Sequence, residues 1–217
     1  MLYKAISPSL AGILKEINTF QLPQGTYLAG GTALAIYLNH RISVDIDLFT
    51  ENEFYNQPIL SILSQKFKTV VTNAYEKNTL IAEIDNIKFS LFKYPYPLLE
   101  PLFYVSDFNI YLASIIDIAA MKIVAIGQRG TAKDFVDLKA IISTRNFSLE
   151  YLIMQVQKKY KVSEEYNYQI KKSLVFFDDA KKSLGEVTLF ENNEFNRIKI
   201  EEWEKTEKFF KKLIFNK

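Results

Sequence analysis

The chain carries the sequence LAGGTALAIYLNHRISVDIDLFT over residues 28–50. Residues 26–29 and 44–50 favour strands because they are short apolar or alternating runs, and residues 32–39 have a helix-forming composition. A pair of glycines separates the first strand from the helix. The stretch therefore predicts a strand, a glycine turn, a helix and a second strand, in that order.

The rest of the chain divides into two halves of different character, separated by the proline-rich passage at 94–101. Proline removes backbone donors and biases the residue before it away from helix. We expect an α+β or α/β fold, with a mixed sheet and flanking helices in residues 1–110 and a helical half in residues 111–217. Periodicity predicts helices at 8–20 and 59–67, strands at 68–75, 80–84 and 87–94, and further helices at 114–127, 131–143, 148–158, 164–178 and 201–214.

Composition excludes several kinds of site. The 217 residues include no cysteine and one histidine, which excludes a disulfide framework, a thiolate zinc site, a cysteine nucleophile and a multi-histidine metal cluster. Carboxylates remain as the metal ligands. The most apolar stretch, 114–127, contains Asp117 and Lys122 and is shorter than a membrane span, and the first 20 residues lack signal-peptide order. We therefore expect a cytoplasmic protein that does not contact a membrane.

Charge is distributed unevenly along the chain. The net charge is +2, but residues 1–120 contain 8 basic and 11 acidic side chains, whereas residues 121–217 contain 19 and 14. The second half is therefore the better candidate for a surface that contacts a polyanion. Lysines scattered over solvated helix faces explain the same numbers equally well.

Two carboxylates stand two residues apart in the second predicted strand. On a strand, Asp45 and Asp47 point to the same face while Ile46 turns into the core. Two like charges repel each other unless they are well solvated or share a divalent cation, and Mg²⁺ prefers hard oxygen ligands that it often shares with substrate phosphates. The spacing favours a magnesium site, and a solvated pair is the alternative.

The glycine turn adds a second feature to this site. A strand that ends in Gly30, Gly31 and Thr32 and opens a helix presents backbone N–H groups and a helix N-terminus to an anion. Combined with the carboxylate pair, the pattern predicts a site for a nucleoside triphosphate and its magnesium. The simpler reading is that the glycines only form a turn.

The second half contains charged residues at apolar positions. On a helical wheel, Lys122 lies among apolar residues, and Asp134 falls on the core-facing side of the next helix. Buried charges are costly unless they are paired. The two residues therefore predict a buried polar site in which Lys122 meets a phosphate and Asp134 orients it or a ribose, with a purely structural ion pair as the alternative.

These motifs together resemble the AbiEii/AbiGii-type nucleotidyltransferases of the DNA polymerase β-like superfamily, which include toxins of type IV toxin–antitoxin and phage-defence systems. The resemblance lies in the run at 29–49 and in the motif that joins Lys122 and Arg129 to Lys133-Asp-Phe-Val-Asp137. It implies a polymerase β-like fold and transfer of a nucleoside monophosphate from an NTP to an acceptor hydroxyl. In related toxins the acceptor is the 3′ end of tRNA, and a cognate antitoxin normally accompanies the enzyme.

The resemblance also implies roles for individual residues. Asp45 and Asp47 become the ligands of Mg²⁺, at a site that could hold two ions. The implied nucleotide-binding set is Gly30, Gly31, Thr32 and Lys122, and the implied catalytic set is Asp45, Asp47, Lys122 and Asp134. His40 lies beside Arg41 as in the family motif, and it either contacts phosphate or serves as a structural residue.

One position departs from the superfamily pattern. The superfamily commonly supplies a third carboxylate from a later strand, and the corresponding position here is Ser90. A hydroxyl is not ionised at neutral pH and cannot replace that carboxylate as a base or as a charged ligand. Glu83 or Asp85 on the neighbouring strand is a possible substitute. The open alternatives are a transferase that acts on protein or a small molecule, an NTP-binding module without transfer, and an interaction protein that binds an antitoxin.

Overall fold

The structure is a computed structural model that describes residues 3–191 and 194–215. Its contacts divide the chain into two compact units. The first comprises Met1–Ile36, Ser43–Pro97 and Pro101–Ala113, and the second comprises Tyr37–Ile42, Leu98–Glu100 and Ser114–Lys217. The second unit thus takes two short segments from before the expected boundary at residues 110 and 111. The assignment of separate functional domains to 1–110 and 111–217 stays a prediction.

The first unit is built on a mixed sheet. Its strands are β1 (Tyr27–Leu28), β2 (Ile46–Thr50), β3 (Val70–Glu76), β4 (Thr79–Ile84), β5 (Ile87–Lys93), β6 (Phe103–Val105) and β7 (Ile110–Leu112). They form one seven-stranded sheet in the order β3-β4-β5-β2-β1-β7-β6. Strand β1 is antiparallel to β2 and parallel to β7, and β2 is parallel to β5. The expected mixed sheet is confirmed.

Three helices begin in the first unit, namely α1 (Pro8–Glu16), α2 (Gly30–Leu38) and α3 (Asn56–Lys66). Helix α1 starts where the sequence predicts, because the Ser7 hydroxyl accepts the N–H of Leu10 at 3.1 Å and a proline occupies the first position. Helix α2 follows β1 and precedes β2, as predicted. The strand, turn, helix and strand order of residues 28–50 is therefore confirmed.

The hairpin between β4 and β5 shows how local sequence sets the register. Asp85 and Asn86 both adopt positive φ, 46° and 66°, as a two-residue turn with the twist of the flanking strands requires. Asp85 also accepts the N–H of Thr69 with its side chain at 3.0 Å. Below the sheet, Phe20 packs edge-on against Phe89, with ring centroids 6.2 Å apart. The core of this unit is thus aromatic as well as aliphatic.

The second unit is mainly helical. Its elements are α4 (Ile115–Gln128), α5 (Ala132–Arg145), α6 (Leu149–Tyr160), α7 (Tyr166–Ser173), α8 (Asp178–Lys182), the hairpin of β8 (Thr188–Glu191) and β9 (Glu194–Arg197), and α9 (Ile200–Phe215). Four aromatic rings form its centre. Phe135 lies 5.3 Å from both Phe177 and Phe210 and 5.9 Å from Trp203, measured between ring centroids. Within the described ranges, no helix is both long and apolar enough to cross a bilayer.

Two sequence-based expectations about local structure are wrong. The strands β6, β7, β8 and β9 were not expected, because strands of three or four residues give too little alternation to detect. The helix expected at 164–178 is interrupted between α7 and α8. The Ser173 hydroxyl donates to the carbonyl of Gln169 at 2.8 Å, and the following N–H groups of Val175 and Phe176 bond only three residues back. The regular helical hydrogen bonding of α7 therefore ends at Ser173.

The proline-rich passage is irregular, as predicted, and a buried ion pair holds part of it. Asp117 in α4 accepts the backbone N–H of Leu99 at 3.0 Å and the hydroxyl of Ser114 at 2.7 Å. Its carboxylate is also 2.7 Å from Nζ of Lys159, and both side chains are fully buried. An ion pair this deep stabilises the unit only because further hydrogen bonds satisfy the carboxylate.

Candidate active site

Helix α2 begins directly beside one of the two predicted metal ligands. Gly30 has a φ of +67°, which glycine adopts far more readily than other residues. A Cβ atom at this position would lie 2.9 Å from Oδ2 of Asp47. Glycine is therefore favoured by the backbone conformation, and a side chain at position 30 would force the Asp47 carboxylate to shift. The start of the helix and the carboxylate share one site.

The two aspartates alternate with a core residue, as the sequence predicts. Asp47 lies in β2 and Asp45 immediately precedes the strand, and both are partly exposed, whereas Ile46 between them is fully buried. The N–H of Ala29 donates to the carbonyl of Asp47 at 3.0 Å and joins this strand to the end of β1. The carboxylates therefore stand at the start of β2, where both are partly accessible to solvent.

Thr32, expected to bind the triphosphate, is almost completely buried, with 1% of its surface exposed. Its hydroxyl donates to the backbone carbonyl of Asp45 and is hydrogen-bonded to the Ser43 hydroxyl at 2.8 Å. Gly31 is buried as well. In this structure the Thr32 hydroxyl bonds to the backbone that carries Asp45. Thr32 therefore contacts the main chain of the carboxylate pair.

Ser90 occupies the place beside Asp47 that the superfamily pattern indicates. The register of the parallel strands β2 and β5 pairs Asp47 with Ser90. Ser90 is 1% exposed, and its Oγ has no hydrogen-bond partner among the described residues. A buried hydroxyl without a partner is uncommon in proteins and calls for an explanation.

Neither possible substitute for the third carboxylate joins the pair. Glu83 is on β4, which β5 separates from β2, and it pairs with Lys88 rather than with Ser90, so it lies at least two strand spacings of about 4.8 Å from Asp47. Asp85 lies in the hairpin turn, where its carboxylate accepts the N–H of Thr69. Over the ranges that the structure describes, no three acidic or histidine side chains gather where they could hold a metal.

The second unit contains a buried cluster of charged residues. Nζ of Lys122 lies 2.9 Å from Asp134 and 2.7 Å from Asp137. Asp134 also accepts Nε of Arg129 at 3.0 Å and the hydroxyl of Thr131 at 2.8 Å. The predicted inward pairing of Lys122 and Asp134 is therefore present in the geometry. Their part in catalysis stays a prediction.

Asp137 is the residue that the sequence reasoning missed as the centre of this cluster. Besides Lys122, it accepts Nε of Arg41 at 2.7 Å and contacts Nε2 of His40 at 2.6 Å. Asp134 and Asp137 are three residues apart and thus on one helix face, and this spacing was the available signal. His40 is held by Asp137, as the structural alternative requires.

Burial and charge act in opposite directions on these groups. Burial alone would raise the pKa of Asp134, but Lys122 and Arg129 lower it to about 2. Burial would likewise raise the pKa of Asp137, yet Arg41 and Lys122 hold it well below its usual range. Burial would lower the pKa of Lys122, and the two aspartates outweigh it and raise that pKa.

The ionisation of this cluster follows from these pKa directions. Burial lowers the pKa of His40, although Asp137 opposes the shift, so His40 is neutral at pH 7. The three cations and two carboxylates of the cluster therefore leave one excess positive charge. The cations are Arg41, Lys122 and Arg129, and the carboxylates are Asp134 and Asp137.

Solved structures that are similar to this chain agree with its fold. MenT4, a nucleotidyltransferase toxin of Mycobacterium tuberculosis H37Rv, superposes with a TM-score of 0.51 at 11% identity, over 96% of this chain and 82% of that one. The polyadenylate synthase of Megavirus gives a TM-score of 0.41 at 14% identity, over 62% of this chain and 31% of that enzyme. The chain thus spans about a third of the length of that synthase. The fold defined by the sheet and helices is that of a nucleotidyltransferase.

Sequence comparison identifies the family. Residues 12–99 and 84–214 match the family described as nucleotidyl transferase AbiEii toxin of type IV toxin–antitoxin systems. An uncharacterized protein of Aquifex aeolicus (strain VF5) is 39% identical over 203 residues, which are 93% of this chain and 92% of that protein. The chain belongs to the AbiEii nucleotidyltransferase toxin family, and the expected resemblance is confirmed. The family implies an NTP substrate and a cognate antitoxin.

Proposed function

We propose that this nucleotidyltransferase transfers a nucleoside monophosphate from an NTP to the 3′ hydroxyl of tRNA in a Mg²⁺-dependent reaction, and that it acts as a toxin in a type IV toxin–antitoxin or phage-defence system. The observation that carries the proposal is the contact between the start of α2 and the carboxylate strand. A Cβ atom at position 30 would lie 2.9 Å from Oδ2 of Asp47, so glycine there leaves the carboxylate its present position. This arrangement puts anion-binding and cation-binding groups in one place.

The carboxylate pair fits a hard divalent cation. Asp45 and Asp47 are partly exposed oxygen donors, and Gly30 keeps open the space around one of them. Mg²⁺ is commonly held by one or two carboxylates together with substrate phosphates. When bound, it would neutralise phosphate charge and orient the triphosphate. We assign Asp45 and Asp47 as its ligands.

The first turn of α2 is the proposed cradle of the triphosphate. The first N–H groups of a helix have no partner within the helix, and the helix dipole favours an anion there. We assign Gly30 and Gly31 to this cradle because no side chain at either position obstructs the approach of phosphate. Thr32 supports the site through its hydrogen bond to the Asp45 carbonyl.

Lys122 and Asp134 remain in the proposed catalytic set. Lys122 stays charged among its buried neighbours, and the cluster around it carries one excess positive charge. We propose that this charge favours binding of the NTP and departure of pyrophosphate. Asp134 keeps Lys122 and Arg129 in their positions.

The proposed step is an in-line substitution at phosphorus. The oxygen of the acceptor hydroxyl forms a bond to the α-phosphorus, and the bond from that phosphorus to the oxygen that bridges to the β-phosphate breaks. Pyrophosphate leaves with the electron pair of the broken bond, and the proton of the hydroxyl passes to solvent. The residues described above position and stabilise these groups.

RNA is favoured as the acceptor by charge and exposure in the second unit. The basic excess of the chain lies in residues 121–217. On α7, Tyr168 is 74% exposed, and Lys171 and Lys172 are exposed three and four positions further along. An exposed aromatic ring beside lysines suits stacking and phosphate contact with RNA. Because tRNA and NTPs are cytoplasmic, we place the reaction in the cytoplasm.

The test is a transfer assay with the full chain, Mg²⁺, each α-labelled NTP in turn and total tRNA. We expect label in tRNA from the wild type and none from Asp47→Asn. Glu51→Gln, which changes an exposed carboxylate four residues further along, is the matched control and should transfer normally. Loss of signal when Mg²⁺ is chelated would agree with the metal assignment.

Other outcomes identify the alternatives. Label in protein or in a small molecule would contradict the tRNA assignment and retain the nucleotidyltransferase. Binding of NTP without transfer to any acceptor would contradict catalysis and favour a nucleotide-binding module. Retention of transfer by Asp47→Asn would contradict the site itself.

A further inference from the structure

Ser90 stands where a further metal ligand would be placed. In the register of β2 and β5 it is the direct neighbour of Asp47, and parallel neighbours point to the same face of the sheet. The spacing between adjacent strands is about 4.8 Å. A carboxylate at position 90 would therefore lie close enough to Asp47 to share a cation with it.

The Ser90 hydroxyl that occupies this place makes no hydrogen bond within the described part of the chain. Its Oγ is buried, and no described group bonds to it. The opposite neighbour of Ser90 on β4 is Ile81, which supplies no polar atom. Two positions earlier on β5, Lys88 is paired in register with Glu83, so a cation borders this part of the sheet. These surroundings disfavour a second divalent cation.

We infer that Ser90 limits the carboxylate site to one divalent cation for each bound NTP. The inference rests on the proposed function, which assigns the NTP and its cation to Asp45 and Asp47. Two carboxylates, the triphosphate and bound waters together can supply the oxygen ligands of one Mg²⁺ ion. A second ion would need a charged oxygen at position 90, and a neutral hydroxyl does not supply it.

The experiment counts ions bound to the full chain. Mn²⁺ replaces Mg²⁺ as the probe, with an NTP analogue in which a methylene group replaces the oxygen between the α- and β-phosphates, so that transfer cannot occur. Equilibrium dialysis gives the number of bound ions, and the electron paramagnetic resonance spectrum shows whether two ions are coupled. Paired ions in two-metal sites are about 3.5–4 Å apart, which is close enough for coupling.

The wild type should bind one Mn²⁺ with an uncoupled spectrum. Ser90→Asp should bind a second ion that is coupled to the first. Ser90→Asn is the matched control, because it has the size of aspartate without its charge, and it should bind one. If Ser90→Asp does not fold, the count for the wild type still decides the stoichiometry.

Failure of the inference and failure of the proposed function give different results. Two coupled ions on the wild type would overturn the inference and leave the proposed site intact. A folded Ser90→Asp that still binds one ion would overturn the role of Ser90. No bound ion and no bound analogue on the wild type would overturn the proposed function, and the inference with it.

Discussion

The molecule holds two pairs of aspartates in opposite electrostatic states. Asp45 and Asp47 are partly exposed in the first unit, whereas Asp134 and Asp137 are fully buried in the second unit and are surrounded by three cations. Carboxylates whose charge the protein already balances stabilise structure and fix the cations around them. Carboxylates on an accessible strand beside a helix N-terminus can accept a ligand.

The difference shows that burial and pairing distinguish the functions of similar residues. All four aspartates lie in the motifs that carry the family resemblance, and the sequence made Asp45, Asp47 and Asp134 candidates for the site but not Asp137. The contacts of Asp134 and Asp137 favour a positioning function for both, because neither has an exposed oxygen. The strongest tests therefore compare stability with activity across the two pairs.

The largest effect on stability should come from the buried pair. Asp137→Asn leaves Arg41 and Lys122 buried beside a neutral amide, and removal of one partner from a buried ion pair costs about 3–5 kcal/mol. Urea denaturation should show that loss. Asp179→Asn, which breaks an exposed pair with Lys182, is the control and should change stability little. Equal stabilities of the two variants would contradict the claim that the buried aspartate contributes more to stability than the exposed one.

Activity should respond to the exposed pair instead. Asp45→Asn removes a proposed ligand of Mg²⁺ and should lower the transfer rate by more than about 100-fold, since even indirect support of a metal site is worth about 10- to 100-fold. Its melting temperature should stay close to that of the wild type, because the side chain is not part of the core. A large fall in the melting temperature would show that Asp45 has a structural function.

Acid should destabilise the buried pair. The pKa of Asp134 is about 2 in the folded chain against an ordinary value of 3.8, and that of Asp137 is also lowered. Below about pH 4 the unfolded chain takes up protons that the folded chain refuses, so stability falls as pH decreases toward 2. Asp134 alone contributes about 2 kcal/mol to this loss.

Urea titrations between about pH 2.5 and 7 measure this dependence, and Asp134→Asn is the variant to compare. Its stability should vary less steeply with pH over the acid range. The lowered pKa of His40 adds a loss that begins below its ordinary value of 6.5, because the unfolded histidine gains its proton first. A wild-type stability that is independent of pH below 4 would contradict the pairing.

The smallest effect on stability comes from two glycines that share a backbone conformation. Gly25 and Gly30 have φ values of +72° and +67°, so alanine at either position costs about 1–2 kcal/mol of strain. A Cβ at position 25 meets nothing within 4 Å, whereas one at position 30 meets Asp47. Gly30→Ala should therefore lose transfer activity and Gly25→Ala should keep it. Similar transfer activities of the two variants would show that Gly30 does not contribute to the carboxylate site.

Much of the fold follows from local sequence rules. Ser7 and Pro8 define the start of α1, and the hairpin at Asp85 and Asn86 forms because both residues tolerate positive φ. The strand that carries Asp47 follows from simple alternation. The short strands β6 to β9 could not be predicted in this way. Each has only three or four residues, which give too little alternation to detect, although β6 pairs with β7 and β8 with β9, its neighbour along the chain.

The sequence by itself determined the family, the sheet with its helices, and the residue types of the candidate site, because motifs and periodicity are local properties. Only the tertiary structure decided which charges are paired. It gave Asp137 its three partners, turned Thr32 toward the backbone of Asp45, and put Ser90 beside Asp47. Such contacts join residues up to 97 positions apart, and hydrogen bonding, burial and strand register in three dimensions set them.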